Sequence, residues 1–196
     1  KPAWVTEGNT STAGAVSAQE PADSIDEPAR PEWDVTQARG ETRMIAFTTD
    51  EGTSLSIDVS PDGRWVVFDL LGHVWRLPAD GGTAESLTNS GVALNYHPAF
   101  SPDGRHIAFI SDREGQNNLW IMNADGSDPR VVDKDEDVRM LTPAWTPDGQ
   151  YIIVRREPLG RGGNNGGGLW MLHRDGGQGI QILEDNSAQW PSVSPH

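Results

Sequence analysis

The chain has 196 residues, no cysteine, and 29 acidic against 15 basic side chains, for a formal net charge of −14. That balance disfavours a nucleic-acid surface or an anionic membrane surface, both of which need clustered Lys and Arg. It also leaves no disulfide, thiolate metal site or cysteine nucleophile, and no apolar run approaches the roughly 20 residues of a membrane-spanning helix.

The chain opens on Lys1 and not on Met, as a processed or trimmed product would. Residues 1 to 40 are rich in Ala, Pro, Ser, Thr and Glu, contain no Leu, Phe or Met, and carry seven acids against three bases. Such a segment cannot bury enough apolar surface to offset the entropy of ordering it. It reads as a disordered or surface-draped acidic arm, with Trp4 and Trp33 as docking points. From about residue 41 short apolar runs alternate with turn residues. "RMIAFT" (43–48) is the first strand candidate, and the expectation is that it closes the last blade of a ring by pairing there.

A repeat follows. "SPDGRWVVF" begins at Ser60, "SPDGRHIAF" at Ser101, "TPDGQYIIV" at Thr146, and a fourth copy begins with "SPH" at Ser194, so the copies start 41, 45 and 48 residues apart. Propeller blades recur at about 40 to 50 residues. Each unit has the same grammar. A first strand (54–59, 96–100, 143–145) leads into the Pro-Asp-Gly turn, and a second follows (64–69, 105–110, 150–155). The third carries Trp75, Trp120 or Trp170, a second Asp-Gly turn follows, and a weaker fourth strand closes the unit. In that turn Pro presets φ, Asp can bond back to the backbone, and Gly takes the left-handed position. The fold class is therefore all-β: a partial β-propeller with three four-stranded antiparallel blades (about 54–88, 96–133 and 143–184). The first strand of a fourth begins at 189, to be completed by polypeptide outside this chain, because an open arc would leave sheet faces and edges uncovered.

Loop length varies between strands two and three, while the spacing from the strand-three Trp to the next turn's Asp is constant at five residues (Trp75 to Asp80, Trp120 to Asp125, Trp170 to Asp175). One end of the blades is thus regular and the other carries variable loops, where function usually sits. The candidate partner or ligand residues lie there: His73, His97, Asp112, Arg113, Asp135, Asp137, Arg156, Asn164 and Asn165. His106 and His173 read as packing or surface residues. The repeated tryptophans recur at one strand position, as sheet-packing residues would. "DKDEDVR" (133–139) has alternating carboxylates but lacks the Gly and the distal Glu of a calcium loop, and reads as a solvated acidic connection. "GRGGNNGGG" (160–168) lacks the Gly-Lys-Ser/Thr of a phosphate loop and reads as a flexible loop or one ordered by a partner domain. No GxSxG elbow or HExxH helix occurs, so no catalytic or metal-ligating residue is assigned to this chain.

"FSPDGRHIAFISDREGQNNLWIMNADGSDPR" (100–130) closely resembles the WD40-like (PD40) repeat of TolB-type propellers. "DEGTSLSIDVSPDGRWVVFDLLGHVWRLPADGG" (50–82) is similar to the N-terminal propeller of large exported bacterial propeller–amidohydrolase proteins. That resemblance implies a periplasmic or secreted protein. It also implies hydrolysis of C–N bonds by a metal-activated water, with a divalent metal such as zinc held by His and Asp of a separate barrel. The partner would be the rest of the same polypeptide. Related propellers act as periplasmic protein-binding modules of the TolB kind, and others precede the catalytic domain of prolyl-oligopeptidase-like serine peptidases; both remain alternatives.

Overall fold

The computed structural model describes residues 38, 40–43, 45–88, 91, 93–160, 167–184 and 190–194. Among these residues there are twelve strands and no helix. The first blade is β1 (Ile57–Val59), β2 (Trp65–Leu70), β3 (His73–Pro78) and β4 (Glu85–Ser86). The second is β5 (Asn95–Phe100), β6 (His106–Ser111), β7 (Asn118–Asn123) and β8 (Arg130–Asp133). The third is β9 (Val138–Trp145), β10 (Tyr151–Pro158), β11 (Gly168–His173) and β12 (Ile180–Leu183). Each blade is one antiparallel sheet with its strands in sequence order, and none of the sheets closes on itself.

The Pro-Asp-Gly turns are near-copies. The Gly63, Gly104 and Gly149 amides donate to the carbonyls of Ser60, Ser101 and Thr146 at 2.8, 2.8 and 2.9 Å, and these glycines have φ of 69°, 68° and 66°. The leading hydroxyl matters as much as the glycine. Ser60 Oγ donates to Asp62 Oδ1 and accepts from the Trp65 amide, and Asp62 also accepts from the Arg64 amide. Ser101 with Asp103 and Thr146 with Asp148 repeat this pattern. The Ser60 hydroxyl and then the Arg64 amide hold the Asp62 carboxyl down at about 2, and Thr146 and the Gln150 amide lower Asp148 likewise.

Packing follows from the two-residue period of strands. Ile107, Phe109, Trp120 and Met122 point from the second blade toward the first, where they bury Val67 and Val74. Ala108, Ile110, Leu119 and Ile121 point the other way, against Met140, Trp145, Ile152, Val154 and Leu172 of the third. The strand-three tryptophans take part in this packing: Trp120 is buried in the first cluster and Trp170 lies against the second.

One expected pairing is not seen, and one strand is longer than the sequence suggests. Among the described residues of 43–48 there is no strand, and Ile45 and Phe47 are exposed. A strand exists only through a paired neighbour, and no described strand edge takes this segment, so the ring-closing pairing is not seen. Residues 190–194 lie where the sequence places the start of an incomplete fourth blade; no strand is assigned among them, and residues 185–189 are not among the described ones. In the third blade β9 starts five residues earlier than the sequence suggests. Val138 and Met140 are buried and pair with Pro158 and Arg156, which extends the ladder.

Candidate functional site

The variable-loop end holds two clusters of the candidate residues. In the first, Asn95 at the start of β5 is fully buried and spans two blades. Its amide and side chain donate to the Gly72 carbonyl of the first blade, and its Oδ1 accepts from Arg113 Nη2 at 2.8 Å. Arg113 also donates to Ser111 Oγ, and its guanidinium lies 4.6 Å from the Trp120 ring centre. Burial lowers the pKa of Arg113, opposed by Asp112 and Glu114. Asp112 accepts from the Leu94 amide. Beside Gly72, His73 bonds through Nδ1 to the Thr88 carbonyl.

The second cluster is an ion-pair network between β8, the acidic connection and β10. Arg156 pairs with Asp135 and lies 4.0 Å from Asp133, with its guanidinium 4.5 Å from the Trp170 ring centre. Asp135 takes the Asp137 amide on its other oxygen, and its own amide donates to Asn118 Oδ1. Burial pushes the Asp133 carboxyl up, against the pull of Arg156 and with the push of Asp135. The arginine cap on a strand-three tryptophan therefore recurs in the second and third blades. In the first, Trp75 instead donates its own indole N–H to the Leu70 carbonyl.

His97 stands apart from both, on the innermost strands. It has φ 54°, and Thr142 at the same position of the next blade has φ 49°; a register shift accompanies each. Such bulges re-aim side chains, and left-handed backbone costs a residue with a Cβ about 1–2 kcal/mol. The His97 amide donates to Asp69 Oδ2, its Nδ1 faces the Thr142 amide at 3.3 Å, and its ring meets Tyr96 and Trp190 edge-on. Burial lowers its pKa, against the charge of Asp69. His97 and Trp190 line a groove of about 770 Å³ along the inner strands, with Pro98, Pro143 and Trp145. Asn164 and Asn165 lie outside the described residues.

This three-blade arrangement is the ground for comparison with known proteins. The TolB beta propeller domain family (PD40) matches residues 35–196. The chain belongs to that family. Among relatives of this PD40 propeller, a Streptomyces coelicolor protein named Tricorn protease homolog 1 is 32% identical over 94 residues, covering 48% of this chain and 9% of the relative. The Bacillus subtilis uncharacterized peptidase YuxL is 47% identical over 83 residues, 42% of this chain and 12% of the relative. Among solved structures, TolB from Acinetobacter baumannii superposes with a TM-score of 0.51 at 25% identity, over 66% of this chain and 32% of that one. The chain thus spans less than half the length of each.

The sequence did not single out Asn95 or Asp69 in this PD40 propeller, and it placed Asn118 only within the variable-loop stretch 111–118. Asp69 could have been found, since it is an acid inside the apolar run "WVVFDLL". It is buried, and accepts from the Ser56 amide of its own blade as well as from His97 of the next. Asn95 and Asn118 begin strands, where nothing local marks an asparagine as buried.

Proposed function

We infer that this chain is the propeller part of a larger exported hydrolase acting on amide-type C–N bonds, where it scaffolds or gates a catalytic domain carried on other polypeptide. One observation carries this reading: the 83 residues shared at 47% identity with a peptidase make up only 12% of that peptidase. The propeller is a module within a longer chain there, and the same arrangement here leaves the chemistry to another domain. The loop end supports a scaffolding role. Arg113 and Arg156 are each stacked on a tryptophan and hydrogen-bonded, so they brace the rim. The finer reading is a metal-dependent amidohydrolase, which rests on the resemblance of residues 50–82. Its divalent metal, such as zinc, would be held by His and Asp of the catalytic domain. Among the described residues of this chain no group of three His, Asp or Glu side chains is placed to hold a metal ion. Periplasmic or secreted location belongs to the same reading.

A second reading is a non-enzymatic, TolB-like protein-binding propeller, favoured by the similarity to TolB and by the inner-strand groove at His97 and Trp190. The two separate in one assay. The protein that carries this chain is incubated with aminoacyl-p-nitroanilides and with N-acyl amides. Hydrolysis abolished by o-phenanthroline fits the amidohydrolase, and hydrolysis abolished by a fluorophosphonate fits a serine peptidase. No hydrolysis of any amide sinks the enzyme reading and leaves the binding module.

A further inference from the structure

Each blade has two Asp-Gly turns: Asp62-Gly63 and Asp80-Gly81, Asp103-Gly104 and Asp125-Gly126, Asp148-Gly149 and Asp175-Gly176. Such a pair carries a reaction of its own. The glycine nitrogen can attack the aspartate Cγ, because no Cβ on the glycine hinders the approach. The six pairs differ in how the carboxylate is held.

In the Pro-Asp-Gly turns it is locked twice. Oδ1 of Asp62, Asp103 and Asp148 accepts from the hydroxyl two residues before it and, at 3.0 Å, from the amide two residues after it. Asp125 takes both bonds from one side: the Ser127 amide and hydroxyl donate to it at 2.9 and 2.6 Å. Local bonds of this kind fix the side chain. They turn the carboxyl toward the amide of the second residue on, and away from that of the glycine. They also favour the charged form, which resists attack: the Ser127 hydroxyl and amide lower the pKa of Asp125, as the Thr146 hydroxyl and the Gln150 amide lower that of Asp148.

"PADGG" (78–82) offers Asp80 neither lock. Residue 78 is Pro and residue 82 is Gly, so no hydroxyl stands two positions away on either side. Asp80 is exposed, and among the described residues no hydrogen bond or ion pair reaches its carboxylate. Asp175 also lacks the hydroxyl, but Arg130 Nη2 lies 3.4 Å from its Oδ1 and His173 Nδ1 lies 3.8 Å from its Oδ2. The glycines differ in the same direction. A Cβ on Gly126 would stand 2.9 Å from the Leu87 carbonyl oxygen of the first blade, and one on Gly176 would stand 3.4 Å from that of Val132 in the second. Those turns rest on the blade before them. At Gly81 no described atom beyond its chain neighbours lies within 4 Å of that point. The Gly81 amide donates to the Pro78 carbonyl at 3.0 Å, and this bond must open to free the nitrogen. Gly82 follows at φ 134°, so two glycines in succession ease that opening.

The structure assigns Asp80 as the principal site of spontaneous isoaspartate formation in this protein, through the unlocked Asp-Gly-Gly turn between β3 and β4. The Gly81 nitrogen bonds to Cγ, and one carboxyl oxygen leaves as water with the amide proton and a proton from solvent. Water then opens the succinimide ring. Opening at the γ-carbonyl restores aspartate, and opening at the α-carbonyl leaves the main chain running through the side-chain carbon. No oxidant or reductant takes part. The product adds one methylene to the backbone and a free α-carboxylate to the surface. The pairs beyond the turn are Trp75 with Ser86 and Arg76 with Glu85, so the change falls on the two-residue strand β4.

Ageing the intact protein at neutral pH, below its unfolding temperature, tests this. Isoaspartate is counted by methyl transfer from S-adenosylmethionine with an isoaspartyl methyltransferase, and is located by peptide mapping. The Asp80 peptide should gain it about ten-fold faster than the peptides of Asp62, Asp103, Asp125 and Asp148, where two bonds to a charged group must break first. Mapping also separates isoaspartate from Asn165, which precedes Gly166, because deamidation changes the peptide mass and isomerisation does not. Asp80→Glu should abolish the signal of this turn. Ser127→Gly removes the hydroxyl at Asp125 and should speed that site about three-fold or more. In water enriched in heavy oxygen the Asp80 peptide should take up the label. Isoaspartate spread evenly over the six pairs, a signal unchanged in Asp80→Glu, an Asp125 rate unchanged in Ser127→Gly, or no label would overturn the assignment.

Discussion

The second blade and its two neighbours share one strand grammar but differ in what covers them. In the second blade β6 and β7 are buried on both faces, and Phe109, Ile107, Ile110 and Leu119 are fully enclosed. In the first blade the inner strand exposes Ile57 at 61%, and in the third the outer strand exposes Ile180 at 60%. The same alternating apolar pattern is thus a two-sided core in the middle and one-sided at the flanks. Burial in a propeller comes from the adjacent blade, and a blade's own strands supply only the hydrogen-bonded ladder.

Substitutions can break this comparison. The largest effect should come from Phe109→Ala, at ~3–5 kcal/mol as for other enclosed aromatics, against Ile57→Ala at about 0.5 kcal/mol or less where the side chain is exposed. Urea denaturation of the two variants checks it; similar losses would mean that Ile57 is covered in solution. Next comes the buried ion pair. Arg156→Ala leaves Asp133 and Asp135 facing each other without their cation and should cost about 3 kcal/mol, whereas Arg64→Ala at the exposed turn should stay near ~0.5 kcal/mol.

A smaller effect tests the turns. Gly104→Val forces a β-branched residue to φ 68° and puts a Cβ 3.4 Å from Pro61 Cδ of the first blade. The cost should be about 1–3 kcal/mol, and thermal unfolding reads it. The smallest sharpens the role of His97. Its folded pKa is depressed below 6.5, chiefly by burial, so its contribution to stability is present above that value and is lost as pH falls through the folded pKa. Stability measured from pH 7 downward should therefore begin to drop below about 6.5, ahead of the carboxylates. In His97→Gln this early part of the drop should shrink to the share of His106, whose pKa burial also lowers, and an unchanged profile would remove His97 as a source.

Much of the fold was legible because its signals are local. The Ser/Thr-Pro-Asp-Gly turn closes within four residues, and the strand-three Trp keeps a constant distance to the next turn. The end that carries Arg113, Asp135 and Arg156 was legible too, since loop length varies there. The pairings were not. Asp135 meets Arg156 across 21 positions and Asn95 meets Arg113 across 18, and no local signal reports which side chains the fold brings together over such gaps.

By itself the sequence determined the repeat, the turn chemistry and the four-strand unit, because backbone preferences and side-chain alternation act over a few residues. Only the tertiary structure decided which faces are enclosed and that Asp69, on β2, accepts from Ser56 of its own blade and from His97 of the next. These depend on contacts between blades about 45 residues apart in sequence, where the packing of one sheet against the next, and not local propensity, sets the neighbours.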